Sequence, residues 1–203
     1  MCAIEKHSFA IDMIGKTTAL LVFTLIRYSN CWHDERAWTT IVDGQPAKQP
    51  FNPATFTRHP QRDGRLVRNA YAALYMTEDR DIVFGQAQRE SDGQICGQFN
   101  FQGRVISTCN RFRVLVVNPN SRHTDFFLTK PENFDQQRDE PVEYANQWLV
   151  VVYDPEMSAS YFGTLNKEGE PTIYAIDYNG APTEIRGKDA TSGDYVLYVV
   201  SEK

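Results

Sequence analysis

Beyond Trp38 the chain alternates apolar and polar residues in short runs, each closed by a turn-forming pair. The runs 66–76 (LVRNAYAALYM), 81–88 (DIVFGQAQ), 97–102 (GQFNFQ), 111–117 (RFRVLVV) and 125–129 (DFFLT) read as strands, as do 147–154 (QWLVVVYD), 159–165, 172–177 and 195–200. A period of two puts Phe99 and Phe101 on one face. The breaks carry turn chemistry: Asp63-Gly64, Asp92-Gly93, Asn118-Pro119, Asp154-Pro155, Glu168-Gly169, Asn179-Gly180 and Ser192-Gly193. Asn179-Gly180 is the strongest two-residue hairpin signal among them. Helical periodicity is scarce, and the polar, Pro-bracketed segment 129–146 predicts a long surface loop or a short helix. Strands at spacings of about 8–12 residues imply an all-β antiparallel sandwich or barrel. A weak self-similarity links Phe84-Gly85 with Phe162-Gly163, too slight to establish a repeat.

Composition narrows the function classes. The chain has 203 residues, 41% hydrophobic and 12% aromatic, enough for one compact domain or two small ones. A net charge of −5 lacks the basic footprint that phosphate requires, so no nucleic-acid partner is expected. Residues 17–26 (TTALLVFTLI), after Lys6 and Lys16, match the hydrophobic part of a secretory leader and fall short of the roughly 20 residues that span a bilayer. Ser29 and Cys31 supply the small residues of a cut after Cys31. This reading makes 1–31 a signal peptide and 32–203 the β-domain, with no membrane span; the alternative makes 11–26 a buried strand. Cleavage would leave an even pair, Cys96 and Cys109, suited to one hairpin disulfide in an oxidising compartment, or else two buried thiols.

Catalytic and metal motifs are thin. Gly15-Lys16-Thr17-Thr18 echoes a phosphate loop, but Ala10 stands where the first glycine is needed. His33-Asp34-Glu35 cannot converge on one ion in an extended chain, because neighbours point to opposite faces. No GxSxG, HExxH or CxxC occurs. The expectation is a protein that is not an enzyme, with no catalytic residues, no metal site and no cofactor. The aromatics on predicted strands are more informative. In a sandwich they interdigitate into a solid core. In a closed barrel of about eight strands they line a space for one small ligand. Alternation alone does not separate the two.

Four local features resemble the lipocalins of the apolipoprotein D and bacterial type. They are Trp38 followed by Phe56 and Asp63-Gly64; Arg65-Leu66-Val67-Arg68-Asn69; Val83-Phe84-Gly85-Gln86-Ala87; and Gln147–Asp154 with its partner ending Ser160-Tyr161-Phe162-Gly163. Arg36-Ala37-Trp38 lacks the family's glycine, Arg186 is the nearest candidate to cap the Trp, and the stretch between Ala87 and Trp148 is longer than usual. The resemblance implies a single up-and-down barrel of about eight strands with a possible extra hairpin. Trp38, Asn69 and Gly85 would be structural. Phe56, Tyr71, Phe84, Phe99, Phe101, Phe112, Trp148 and Tyr161 would bind ligand. The partner would be a small lipophilic molecule (fatty acid, sterol, retinoid, pigment or biogenic amine), and the protein a secreted carrier or scavenger. A fainter resemblance, through Val83-Phe84-Gly85-Gln86-Ala87 and Asp92-Gly93, is to DM9-repeat lectins. The alternatives are a sandwich-type carbohydrate-binding module, with Trp32, Tyr71 or Tyr178 as an exposed platform, and a surface-acting inhibitor using 131–143.

Overall fold

A computed structural model describes residues 4–9, 23–28, 35–58, 70–121, 125–154 and 159–202. The chain forms two compact units, 1–31 and 32–203. In the first, β1 (Ile4–Phe9) pairs antiparallel with β2 (Phe23–Tyr28), so the apolar run read as a leader contributes a strand. Ser29, Cys31, Trp32, the Asp63-Gly64 turn and Asn69 lie outside the described residues.

The second unit carries the remaining strands: β3 (Trp38–Val42), β4 (Gln45–Pro46), β5 (Phe56–Arg58), β6 (Tyr71–Met76), β7 (Ile82–Arg89), β8 (Ile95–Phe101), β9 (Arg104–Thr108), β10 (Phe112–Leu115), β11 (Phe126–Thr129), β12 (Asp139–Pro141), β13 (Glu143–Tyr144), β14 (Gln147–Asp154), β15 (Ala159–Asn166), β16 (Thr172–Ile176), β17 (Pro182–Arg186) and β18 (Val196–Glu202). They form two sheets. The first runs β4-β3-β10-β6-β7-β8-β9 and the second β17-β16-β15-β14-β18-β11-β5. Pairing is antiparallel except between β5 and β11.

The all-β antiparallel class is as expected, but the single closed barrel is replaced by two sheets packed as a sandwich. Neither strand order closes on itself: β4 and β9 end one, β17 and β5 the other. The physical reason lies in strands that bury both faces. In β14, Trp148 through Val152 are all buried, whereas a barrel strand with a wet outer face would alternate. Trp38, Leu74, Phe84, Leu115, Phe126, Leu149, Val151, Phe162 and Val199 fill the space between the sheets. Ile41, Ala73, Val83, Phe99, Phe112 and Val114 form a second core on the other face of the first sheet. Trp148, Val150, Tyr161, Leu165, Ile173 and Tyr198 form a third on the other face of the second.

The two meanders β6–β9 and β14–β17 are built alike at their centres. Phe84 and Phe162 are both buried between the sheets. The following glycines let the neighbouring strand approach closely. A Cβ on Gly85 would run into the Gln98 carbonyl oxygen, and one on Gly163 would lie 2.9 Å from that of Tyr174.

Several local expectations change. The Asn179-Gly180 hairpin is not a two-residue turn. Asp177 N donates to Ala181 O, Gly180 N donates to Asp177 O, and Gly180 alone takes positive φ, at 80°. The Asp177 carboxylate accepts from the backbone N–H groups of Asn179 and Ala181, fixing this longer form. The same bonding recurs at Glu90–Gln94, with Gly93 at φ 86°, and at Thr77–Asp81, with Arg80 at φ 69°. The segment 129–146 is not simply a loop. After a 3-10 turn at Pro131–Asn133 it supplies β12 to β18 and β13 to β14. Asp139 tolerates burial there because Arg138 Nε lies 2.6 Å away and Asp135 N donates to it. Cys96 and Cys109 are bonded, joining the edge strand β9 to β8.

Trp38 is 9% exposed and stacks on Phe84 with ring centroids 6.2 Å apart. It therefore belongs to the inter-sheet core rather than to a barrel floor, and Arg186 is paired with Glu184 on β17 instead of capping it. Trp38→Ala should lower unfolding free energy by about 3–5 kcal/mol in urea titration. An unchanged midpoint would contradict this placement.

Candidate functional site

The β7–β8 ladder runs from Arg89↔Ile95 to Gly85↔Phe99 and stops there. Residues 82–84 keep β6 on one side but have no ladder partner on the β8 side. The second sheet takes over. Phe84 N donates to Thr164 Oγ1 at 2.7 Å, and the Thr164 hydroxyl donates to Phe84 O at 2.9 Å. Asn100, 1% exposed, is drawn the same way: its Nδ2 donates to Ala175 O and Thr183 O, both at 2.9 Å. Its Oδ1 accepts from Gly103 N, closing the β8–β9 turn. Two strands that would otherwise stay zipped are thus parted by side chains of and contacts to the opposite sheet.

A cleft of ≈ 130 Å³ opens in the gap. Arg80 and Asp81 come from the β6–β7 turn, Phe101 from the end of β8, Gln102 from the turn after it, Gln147 from the start of β14, and Tyr174 from β16. Thr164 and Asn100 form part of its lining. Among the described residues, the side chains of Arg80, Asp81, Gln102, Gln147 and Tyr174 make no hydrogen bond or ion pair within the protein. The cleft therefore presents a cation, an acid, two amides and a phenol with their bonding capacity open, beside the rings of Phe101 and Tyr174. Its volume is below the 300–1,000 Å³ or so typical of sites that enclose drug-sized ligands. It suits one small polar ring with hydroxyl groups, or the end of a larger chain.

The aromatics expected to bind ligand do not surround one space. Phe84 sits in the inter-sheet core, with Phe56 half-buried against Phe162 at 5.4 Å. Phe99 and Phe112 pack edge-to-face at 5.9 Å in the core of the first sheet, with Tyr71 and Phe101 at its margin. Trp148 and Tyr161 belong to the core of the second sheet. Of the eight, only Phe101 lines the cleft. Tyr71 packs on Phe51, and Tyr178 is 50% exposed on the Asp177–Ala181 turn away from the cleft lining. The residues that sequence reasoning missed are Arg80, Asp81, Gln102, Gln147 and Thr164. The sequence signal pointing nearest to them was the alternating run 97–102, which ends at Gln102.

A pair of charges with shifted titration lies elsewhere, at the start of β14. Lys167 Nζ stands 3.7 Å over the Trp148 ring. Burial pulls Lys167 below the ordinary lysine range, an effect that Glu143 opposes. Burial pushes the Glu143 carboxyl up, tempered by a hydrogen bond from Trp148 and by Lys167. Among the described residues no cluster of three His, Cys, Asp or Glu could hold a metal, and no helix is long and apolar enough to cross a membrane.

No family model matches the chain, and no curated protein matches it. A solved structure does. The crystal structure of the nematode sperm cell motility protein MFP2B superposes with TM-score 0.57 at 17% sequence identity, covering 82% of this chain and 45% of that one. The chain spans under half of MFP2B's length, and the likeness is one of fold.

Thr164→Val keeps the shape of the side chain but orphans the Phe84 N–H and C=O. It should cost about 2–4 kcal/mol, with Thr164→Ser close to wild type. Equal stability of Val and wild type in chemical unfolding would refute the cross-sheet bond. For Glu143, the raised folded pKa means the native state binds the proton more tightly than the unfolded chain. Its contribution is fully present below the ordinary value of about 4.3 and is lost as pH rises through the folded value. The stability of wild type relative to Glu143→Gln should therefore fall as pH rises through mild acid; a flat difference would show that burial there is harmless.

Proposed function

We propose that the protein is a secreted sugar-binding module that holds one sugar residue in the cleft between β7 and β8. The observation that carries this reading is the convergence of unpaired Asp81, Gln102 and Gln147 with the rings of Phe101 and Tyr174. Carboxylate and amide groups bond to vicinal hydroxyls, while an aromatic face covers the apolar C–H face of a pyranose. The Cys96–Cys109 bond is compatible with an oxidising compartment, which supports an extracellular setting. The fainter lectin resemblance in β7 points the same way.

A second reading, the carrier of a small lipophilic ligand, draws on a different surface. Phe51, Tyr71, Tyr75 and Phe101 are only partly buried over the first sheet's outer core. They offer an apolar patch rather than an enclosed cavity.

A glycan array followed by calorimetry with monosaccharides tests the first reading. Asp81→Asn and Gln147→Ala should each weaken sugar binding by about 5- to 50-fold, corresponding to one lost hydrogen bond each, without lowering the melting temperature. Absence of binding at millimolar sugar, together with displacement of a fluorescent fatty acid, would replace it with the second.

A further inference from the structure

We propose that Arg80 makes the cleft selective for a sugar acid, its guanidinium clamping the sugar's carboxylate while the remaining groups hold the ring. This rests on the sugar-binding reading and names the class of sugar. Among the described residues, three turns have the same pair of backbone hydrogen bonds, Thr77–Asp81, Glu90–Gln94 and Asp177–Ala181. Each places its fourth residue in the left-handed region. In two of them that residue is Gly93 or Gly180, at φ 86° and 80°. In the third it is Arg80, at φ 69°, where an L side chain is strained and glycine is not. The glycine copies show that the turn itself has no need of a side chain there.

The strained residue is also one of the residues that line the cleft. Arg113, Arg138 and Arg186 are paired with Glu35, Asp139 and Glu184. Arg80 has no hydrogen bond or ion pair from its side chain among the described residues, including to adjacent Asp81. A guanidinium so placed presents a planar fork matched to a carboxylate. Asp81 sets the second requirement. Its negative charge repels a bare anion, so the ligand must carry hydroxyls for Asp81 at a distance from the carboxylate for Arg80. A uronic acid or a sialic acid has that layout, since its carboxylate and its vicinal hydroxyls occupy different parts of the ring.

The test is calorimetry on the full chain with matched pairs, glucose against glucuronate and galactose against galacturonate, with acetate as the bare anion. Wild type should bind an acid about 10-fold or more tighter than its neutral parent, the range of one charge-assisted bond. Arg80→Gly should erase that ratio, with the melting temperature unchanged or raised because the strain is relieved. Arg80→Lys should keep part of the preference. The proposal falls if Arg80→Gly leaves the acid-to-neutral ratio intact, if neutral sugars match acids in wild type, or if acetate binds as tightly as the uronates. If no sugar of either kind binds, the sugar-binding reading itself fails and takes this one with it.

Discussion

Thr164 places one hydroxyl between the N–H and the C=O of Phe84 on the opposing sheet, accepting from the first and donating to the second. A buried backbone pair needs partners somewhere, and in a regular sheet the next strand supplies them. Here the next strand has been pulled away, because Asn100 bonds to the carbonyls of Ala175 and Thr183 instead. The two substitutions depend on each other. With Thr164 alone, Phe84 would have competing partners; with Asn100 alone, Phe84 would be left unpaired. Together they satisfy the Phe84 N–H and C=O and the buried Asn100 amide while two strands are held apart.

The strand pattern was legible in the chain. The run QWLVVVYD is β14 to the residue, and the alternating GQFNFQ lies within β8 and the turn after it. The disulfide was legible too, because a cross-strand Cys pair flanks a short hairpin. The choice between hollow and filled was not. Alternation says which side chains share a face, and it is silent on whether a second sheet covers that face. The clue was the continuous burial of 148–152, which needs apolar cover on both sides and so favours stacked layers over one wall around a cavity.

The cleft was illegible for a different reason. Its residues come from the β6–β7 turn, β8, β14 and β16, and nothing in local spacing links them. Thr164 reads as one more β-branched strand residue and Asn100 as a polar break in a strand. Only their partners across the sandwich give them meaning. Arg80 was hidden by its turn. The same turn appears at Asp92-Gly93 and Asn179-Gly180, where glycine announces it, whereas Thr77–Asp81 carries no glycine.

The placement of strain completes the physical picture. Among the described residues, six other than glycine have positive φ, and Arg80, Gln102 and Ala145 line the cleft. Gln102 and Ala145 have an ordinary origin, since each opens a tight hairpin turn whose next residue, Gly103 or Asn146, also has positive φ. Both residues therefore sit on short turns anchored at both ends by ladders, so their backbone keeps little freedom. Arg80 has no such excuse in a turn that glycine forms elsewhere. Its positive φ is a local cost that this turn does not require, set at a residue that lines the polar cleft.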